Sequence, residues 1–241
     1  MPDRDPVVVL FKGGRLPSWH QLSNGERTDF EETHVKLMLS VAREHDMTRL
    51  EGFRLIGPQG DWQRFWLIEF PALEGAEAWI QAEMAPPYGL YGHYEYHLSR
   101  PLERESYETW VTQPAPPVVP LDADPHIIPK LDIDRSSFVV LMFTRYRPGA
   151  EALTSEQRGD QQHVDLMKGI AQEHGLMRLE GFQLQSPQAD WHRAWVVELP
   201  TLEAAEAWIV GEEALPHGMY SQRSVHIARR WAPEYCASWS P

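Results

Sequence analysis

The chain has 241 residues and a formal net charge of −13, from 22 Lys and Arg against 35 Asp and Glu. That acidity excludes nucleic acid and anionic membrane as partners, since both require a basic face to release counterions or meet anionic lipid. The length suits two units of about 100 to 120 residues, and 42% hydrophobic with 11% aromatic residues is the composition of a folded chain.

A single cysteine, Cys236, allows no intramolecular disulfide and points to a reducing compartment. The apolar run Pro6 to Phe11 is too short for a signal-peptide core or a membrane helix, so the expected location is cytoplasmic.

Val7 to Phe11, apolar and β-branched and ended by Lys12-Gly13-Gly14, predicts a buried strand. Arg15 to Gly25, with Pro17 and an Asn24-Gly25 pair, reads as a loop. From Arg27 to His45 the residues Phe30, Leu37, Met38, Val41 and Ala42 recur at helical steps, and Asp46 ends the helix. Arg49 to Ile56 and Trp62 to Phe70 form a predicted hairpin around Gly57 to Asp61, with Asp61 as a turn residue and Trp62 starting the second strand. Opposed in that hairpin, Arg49 and Glu69 are expected to form a cross-strand ion pair. Leu73 to Met84 is a second helix that buries Ala76, Trp79 and Ile80, with Glu74, Glu77 and Glu83 flanking that face. Tyr91 to Arg100 is the last strand. The order β-α-β-β-α-β is the ferredoxin-like unit.

This unit occurs twice. His163 minus His34, Trp208 minus Trp79 and Trp239 minus Trp110 all give 129, and roughly half the paired positions from His34 to Arg100 are identical, well beyond a chance motif. The expected division is a first repeat over 1–111, a Pro-rich linker over 112–137 and a second repeat over 138–241. Pro114, Pro116, Pro117, Pro120, Pro125 and Pro129 make the linker extended and semi-rigid. The expected fold is α+β: two tandem ferredoxin-like repeats packed sheet to sheet as an intrachain dimeric α/β barrel.

Three histidine pairs survive duplication: His34 with His163, His45 with His174, and His97 with His226. His34, Leu37, Met38, Val41 and His45 share one helix face, as do His163, Leu166, Met167, Ile170 and His174. An imidazole on the face that covers a sheet is either a core group or the wall of a cavity. In a cavity it can take a proton from a substrate or donate one to a developing oxyanion. His34 and His163 are therefore the catalytic candidates. Met38, His45, Met167 and His174 on the same faces, His97 and His226 on the last strands, and the aromatic Trp19, Trp62, Tyr91, Trp191 and Tyr220 are the candidate ligand-binding residues. Trp66, Trp195, Trp79 and Trp208 read as core. No dinucleotide fingerprint, P-loop, His-Glu-x-x-His or Cys pair is present, so no cofactor is obligatory by motif.

The element order and duplication resemble the dimeric α/β-barrel superfamily in its tandem-repeat form. That superfamily includes antibiotic-biosynthesis-type monooxygenases, muconolactone-isomerase-like enzymes, chlorite dismutases with coproheme decarboxylases, and aldoxime dehydratases. Fold therefore does not select a reaction. A local stretch, Trp19-His20-Gln21-Leu22-Ser23-Asn24-Gly25-Glu26-Arg27 followed by His34, resembles the Trp-x-x-Leu-Pro-x-x-Glu-Arg…His segment of chlorite dismutases and coproheme decarboxylases. There the histidine is the proximal haem ligand, a role the resemblance gives to His34. Ser23 replaces the proline and Val35 the glycine after the histidine, and the family carries haem in its second repeat. Here that repeat reads Leu153 to Arg158 with His163 five residues on.

The sequence thus predicts a small-molecule enzyme, an oxygenase or isomerase acting on an apolar or aromatic metabolite through histidine acid/base chemistry in a helix-sheet cavity. A haem-dependent enzyme of chlorite dismutase or aldoxime dehydratase type and a non-catalytic ligand-binding protein are the alternatives. The acidic surface leaves self-association into a homodimer open.

Overall fold

A continuous apolar run, buried on both faces, builds the first strand, β1 (Val7–Arg15), in the computed structural model, which describes residues 6–59, 62–103, 105–185 and 190–240. The turn role expected of Asp61 lies outside the described residues. Arg15 to Gly25 is not a loop. Pro17 opens a short helix, α1 (Pro17–Gln21), at the position where its missing N–H costs nothing. Asn24 and Gly25 form the first turn of α2 (Asn24–Glu44). Ser23 and Glu26 make a capping box there: the Ser23 N–H donates to the Glu26 carboxylate at 2.8 Å, and the Glu26 N–H to Ser23 Oγ at 3.3 Å. His45 is the C-cap, and Asp46 follows with φ +50°.

The hairpin is β2 (Arg49–Gln59) and β3 (Trp62–Phe70), followed by α3 (Leu73–Met84), a 3₁₀ turn (Tyr88–Leu90), β4 (Gly92–Pro101) and α4 (Glu105–Glu108). No helix or strand occurs from Thr112 to Ser137 except an isolated bridge of Ile133 to Trp231. The pattern restarts with β5 (Phe138–Tyr146), α5 (Ser155–Arg158), α6 (Asp160–His174), β6 (Arg178–Leu184), β7 (Arg193–Leu199), α7 (Leu202–Glu212), α8 (His217–Tyr220), β8 (Ser221–Trp231) and α9 (Pro233–Ala237). Gly159 (φ +69°) separates α5 from α6, and Gly175 (φ +70°) caps α6, both in the left-handed region that glycine adopts at little cost. No helix among the described residues is long and apolar enough to cross a membrane.

Contacts divide the chain into two units. The first is 1–100 with 117–134 and 230–241; the second is 101–116 with 135–229. The segment that follows β4 therefore belongs to the second unit, and the segment that follows β8 to the first.

In the first unit β1 pairs antiparallel with β3 and β4, and β2 with β3. Val7, Val9 and Phe11 of β1 meet Met38, Val41, Ala76 and Trp79 of α2 and α3 in one core, while Val8, Leu10 and Lys12 alternate to the other face. Arg49 does stand opposite Glu69, but its guanidinium pairs with Glu51, and Glu69 Oε1 instead accepts from Thr48 Oγ1 at 2.9 Å. In the second unit β5 pairs with β7 and β8, and β6 with β7. Its core gathers Val140, Met142, Met167, Ala171, Val197 and Trp208. Trp79 (3% exposed) and Trp208 (2%) are core as expected, each contributing on the order of 2–3 kcal/mol by burial. The strand order is β2-β3-β1-β4 in the first unit and β6-β7-β5-β8 in the second, so the two repeats share one antiparallel sheet topology.

Candidate functional site

Each unit has a cavity between its helices and the helix-facing side of its sheet, of about 350 Å³ in the first unit and about 480 Å³ in the second. Glycine makes both possible. Gly52 stands opposite Trp66, and Gly181 opposite Trp195. A Cβ on either would come within 2.6 or 2.7 Å of the facing indole. The missing side chain lets the indole lie over the strand and form the cavity floor, so Trp66 and Trp195 are cavity wall rather than closed core.

In the first unit α2 places His34 and Met38 at the cavity, and α3 places Glu83 beside them. His34 Nε2 is 3.2 Å from Glu83 Oε2, with side chains 19% and 8% exposed. Tyr88 stacks on the imidazole with ring centroids 4.7 Å apart and planes 28° from parallel. Arg15, Arg64 and Tyr94 line the same space. Burial, and then the nearby charge of Glu83, push the Tyr94 phenol up, against the opposing pull of Arg15 and Arg64. Burial lowers the Arg64 guanidinium to about 10, with the positive charge of Arg15 acting in the same direction.

The second unit repeats the pair with different neighbours. His163 Nε2 lies 3.6 Å from Glu212 Oε2, and that oxygen accepts from Arg223 Nε at 3.2 Å. Burial works to raise the Glu212 carboxyl. The hydrogen bond and charge of His163, with Arg223, outweigh it and hold the group below the usual carboxylate range. His217 stacks on His163 at 4.1 Å and 13°, and its Nδ1 is 3.2 Å from Asp160 Oδ1. Arg158 in turn holds Asp160, Nη2 to Oδ2 2.7 Å. His163 Nδ1 is buried with no hydrogen-bond partner. One ring nitrogen thus faces a fixed carboxylate and the other is free, the arrangement of a histidine that ligates a metal or acts as a base.

Of the residues singled out from sequence, the cavities collect His34 and Met38 in one unit and His163 and Met167 in the other. Trp19 and Tyr91 stand beside the first cavity. Trp19 packs on Phe30 at 5.1 Å and Tyr91 at 6.1 Å, with the Arg15 guanidinium 3.8 Å over its ring. The remaining candidates do not reach these cavities. His45 caps α2 against α3, where a Cβ on Gly75 would come 3.0 Å from the His45 Cβ, and His174 ends α6.

His97 and His226 lie on the sheet face turned away from the helices, since Tyr96, Leu98 and Val225 face the cores. There Glu95 bonds His97 Nε2 at 2.7 Å and Lys12 at 2.9 Å. Burial works to raise the Glu95 carboxyl, but these two partners hold it at about 2. Trp62 stacks on His93 at 4.7 Å under Lys12, and Trp191 meets Phe143; both are on that same far side. Tyr220 ends α8, its carbonyl accepting from the Arg147 N–H at 2.8 Å.

Sequence reasoning missed the two buried carboxylates. Glu83 was placed on the flank of its helix, yet it and Glu212 are 129 apart like the histidines they face, and that shared register was the available signal.

No protein-family model and no curated protein matches the chain. Solved structures do. One arginine variant of the chlorite dismutase from Candidatus Nitrospira defluvii superposes with TM-score 0.68 at 12% identity, over 99% of this chain and 97% of that one. A second arginine variant gives 0.67 at 12%, over 98% and 96%. The same enzyme in complex with imidazole gives 0.63 at 11%, over 98% and 95%. At such identity the likeness establishes fold and not activity. The chain therefore has the fold of these chlorite dismutase structures.

Proposed function

We propose that the second-unit cavity holds haem, that His163 is the residue that would ligate it, and that the chain is a haem-dependent oxidoreductase. The observation that carries this reading is His163 itself: one ring nitrogen faces Glu212 and the other is buried without a partner. A carboxylate behind a ligating imidazole fixes the ring and raises its basicity, and Arg223 keeps Glu212 ionised and in place. Among the described residues no cluster of three or more His, Cys, Asp or Glu could hold a bare metal ion. Iron in a ring that brings its own four ligands needs only one such histidine.

The walls fit that group. Trp110, Met142, Met167 and Trp195 offer apolar surface to a planar ring, and Arg193 offers a cation for its carboxylates, while Arg145 at the same wall is held by Asp190 at 2.9 Å. When bound, haem would supply a redox-active iron. The protein would bind it, orient it through His163 and exclude water with the indole and methionine walls. The ligating role then falls to His163 rather than to His34, the residue the local resemblance pointed to, because the partnerless ring nitrogen of His163 is Nδ1, away from its carboxylate, whereas that of His34 is Nε2, beside Glu83.

The test is titration of the purified protein with haemin. One equivalent should produce a Soret band that His163→Ala abolishes and His34→Ala leaves; a protein that takes up no haem, or loses it with His34→Ala alone, contradicts the reading.

A second reading belongs to the first unit. The His34–Glu83 pair in an aromatic cavity supports cofactor-free acid/base chemistry of an oxygenase or isomerase kind, with His34 as the proton-transfer group and Glu83 orienting it.

A further inference from the structure

The two cavities share their histidine, carboxylate and floor indole but differ where the first unit's sheet meets its ligand space. Gly13 stands between Arg64 on β3 and Tyr94 on β4, and Arg15 follows two residues later on the same face of β1. In the second copy the strand register puts Thr144 between Arg193 and Arg223 and Tyr146 two residues later, so these positions hold Thr144, Arg193, Arg223 and Tyr146. There Arg223 replaces Tyr94 and is neutralised by Glu212, a threonine stands in the glycine's place and a tyrosine in that of Arg15. The two ligand spaces therefore carry different charged groups, in keeping with different occupants.

We propose that the first-unit cavity binds a small planar aromatic monocarboxylate, its anion seated between Arg15 and Arg64 and its ring against Trp66 and Tyr94. Both arginines line the cavity, and among the described residues neither makes a hydrogen bond or ion pair to a carboxylate. Their ring contacts are Arg15 over Trp19 at 3.8 Å and Arg64 facing Trp231 at 5.7 Å. Two guanidiniums in a partly desolvated aromatic pocket, each depressed by burial, are stabilised by an incoming anion.

Glu83, 6% exposed, shares the cavity and offsets one positive charge, which favours a monoanion over a phosphate dianion. At Gly13, where a Cβ would come 3.2 Å from the Tyr94 ring, the missing side chain lets that ring pack close over the strand as an aromatic wall. The walls are aromatic, and 350 Å³ is the size of a small-ligand site. This inference rests neither on haem in the second unit nor on catalysis at His34.

The experiment is calorimetric titration of the purified full chain with 1-naphthoate and with its neutral isostere 1-naphthamide. The naphthoate should bind at least tenfold more tightly. Arg64→Gln and Arg15→Gln should each remove most of that preference, Arg64→Lys should restore part of it, and His163→Gly should leave it unchanged. Melting temperatures identify any variant that fails to fold, and the naphthoate-to-naphthamide ratio of wild-type protein decides without it. No binding of naphthoate, equal binding of the two probes, or loss of binding with His163→Gly but not with Arg64→Gln overturns the proposal. Haemin uptake is read separately, so failure of either assignment leaves the other standing.

Discussion

Glu212 faces His163 across 3.6 Å and Arg223 across 3.2 Å through the same carboxylate oxygen. The side chains of Glu212 and Arg223 are 13% and 7% exposed, so the carboxylate is the counter-charge of a largely desolvated guanidinium as well as the partner of the imidazole. Removing its charge leaves Arg223 buried and unbalanced, which costs far more than an exposed pair would. Glu212→Gln is expected to lower unfolding free energy by about 3 kcal/mol, measured by urea denaturation. A change below about 0.5 kcal/mol, the range of an exposed pair, would mean that the group is hydrated.

Stability should also respond to pH at this site. His217 sits below its ordinary value because burial, and then the charge of His163, oppose its protonation, with Asp160 pulling the other way. As pH falls below about 6.5 the unfolded chain takes up a proton that the folded one resists. That contribution is complete above this pH and is lost below it. Glu212, also depressed, contributes above about pH 4.3, and its share is lost as pH falls further. The urea midpoint is expected to fall in two stages on acidification, and His217→Gln should remove the first. A variant that keeps the first stage unchanged would assign it elsewhere.

The duplicated glycines make a geometric prediction. Gly52→Ala and Gly181→Ala would drive a methyl into Trp66 and Trp195, at 2.6 and 2.7 Å, forcing the floor indoles to shift. Each is expected to cost roughly 1–3 kcal/mol by overpacking. Each should also alter tryptophan emission, because the displaced ring belongs to a cavity wall. Alanine at either position without a spectral change would show that the indole does not lie over the strand.

Most of the fold could be read from periodicity, because burial on one face writes a period of 3.6 or 2 into the chain: Leu73–Met84 and Trp62–Phe70 were found at their observed ends. The segment Arg15–Gly25 was misread because Pro17 and Asn24-Gly25 are loop signals by composition, whereas a proline at the first helical position and a Ser23–Glu26 capping box are start signals by position. The site was legible in half. Duplication singled out His34 and His163, but the helical face of His45 and His174 runs past the cavity to the helix end. The strands of His97 and His226 point them to the opposite side of the sheet. Nothing local in the sequence distinguishes Glu83 from its exposed neighbours Glu74 and Glu77; only packing against α2 does.

The capping box offers a simple check on the helix that carries His34. Ser23→Ala removes the acceptor for the Glu26 N–H and is expected to cost about 1 kcal/mol, seen as a lower melting temperature. Because Ser23 touches no second-unit cavity residue, haemin uptake should be unchanged; reduced uptake at a temperature where the variant is folded would tie α2 to the second-unit site.

The central proposal, that His163 would hold haem, is tested most directly by chemical rescue. His163→Gly removes the imidazole and leaves its space, so the variant should show no wild-type Soret spectrum with haemin alone and should recover it when free imidazole is added. A variant whose haem spectrum equals that of the wild type without imidazole, or that imidazole fails to restore although the protein is folded, would contradict the assignment.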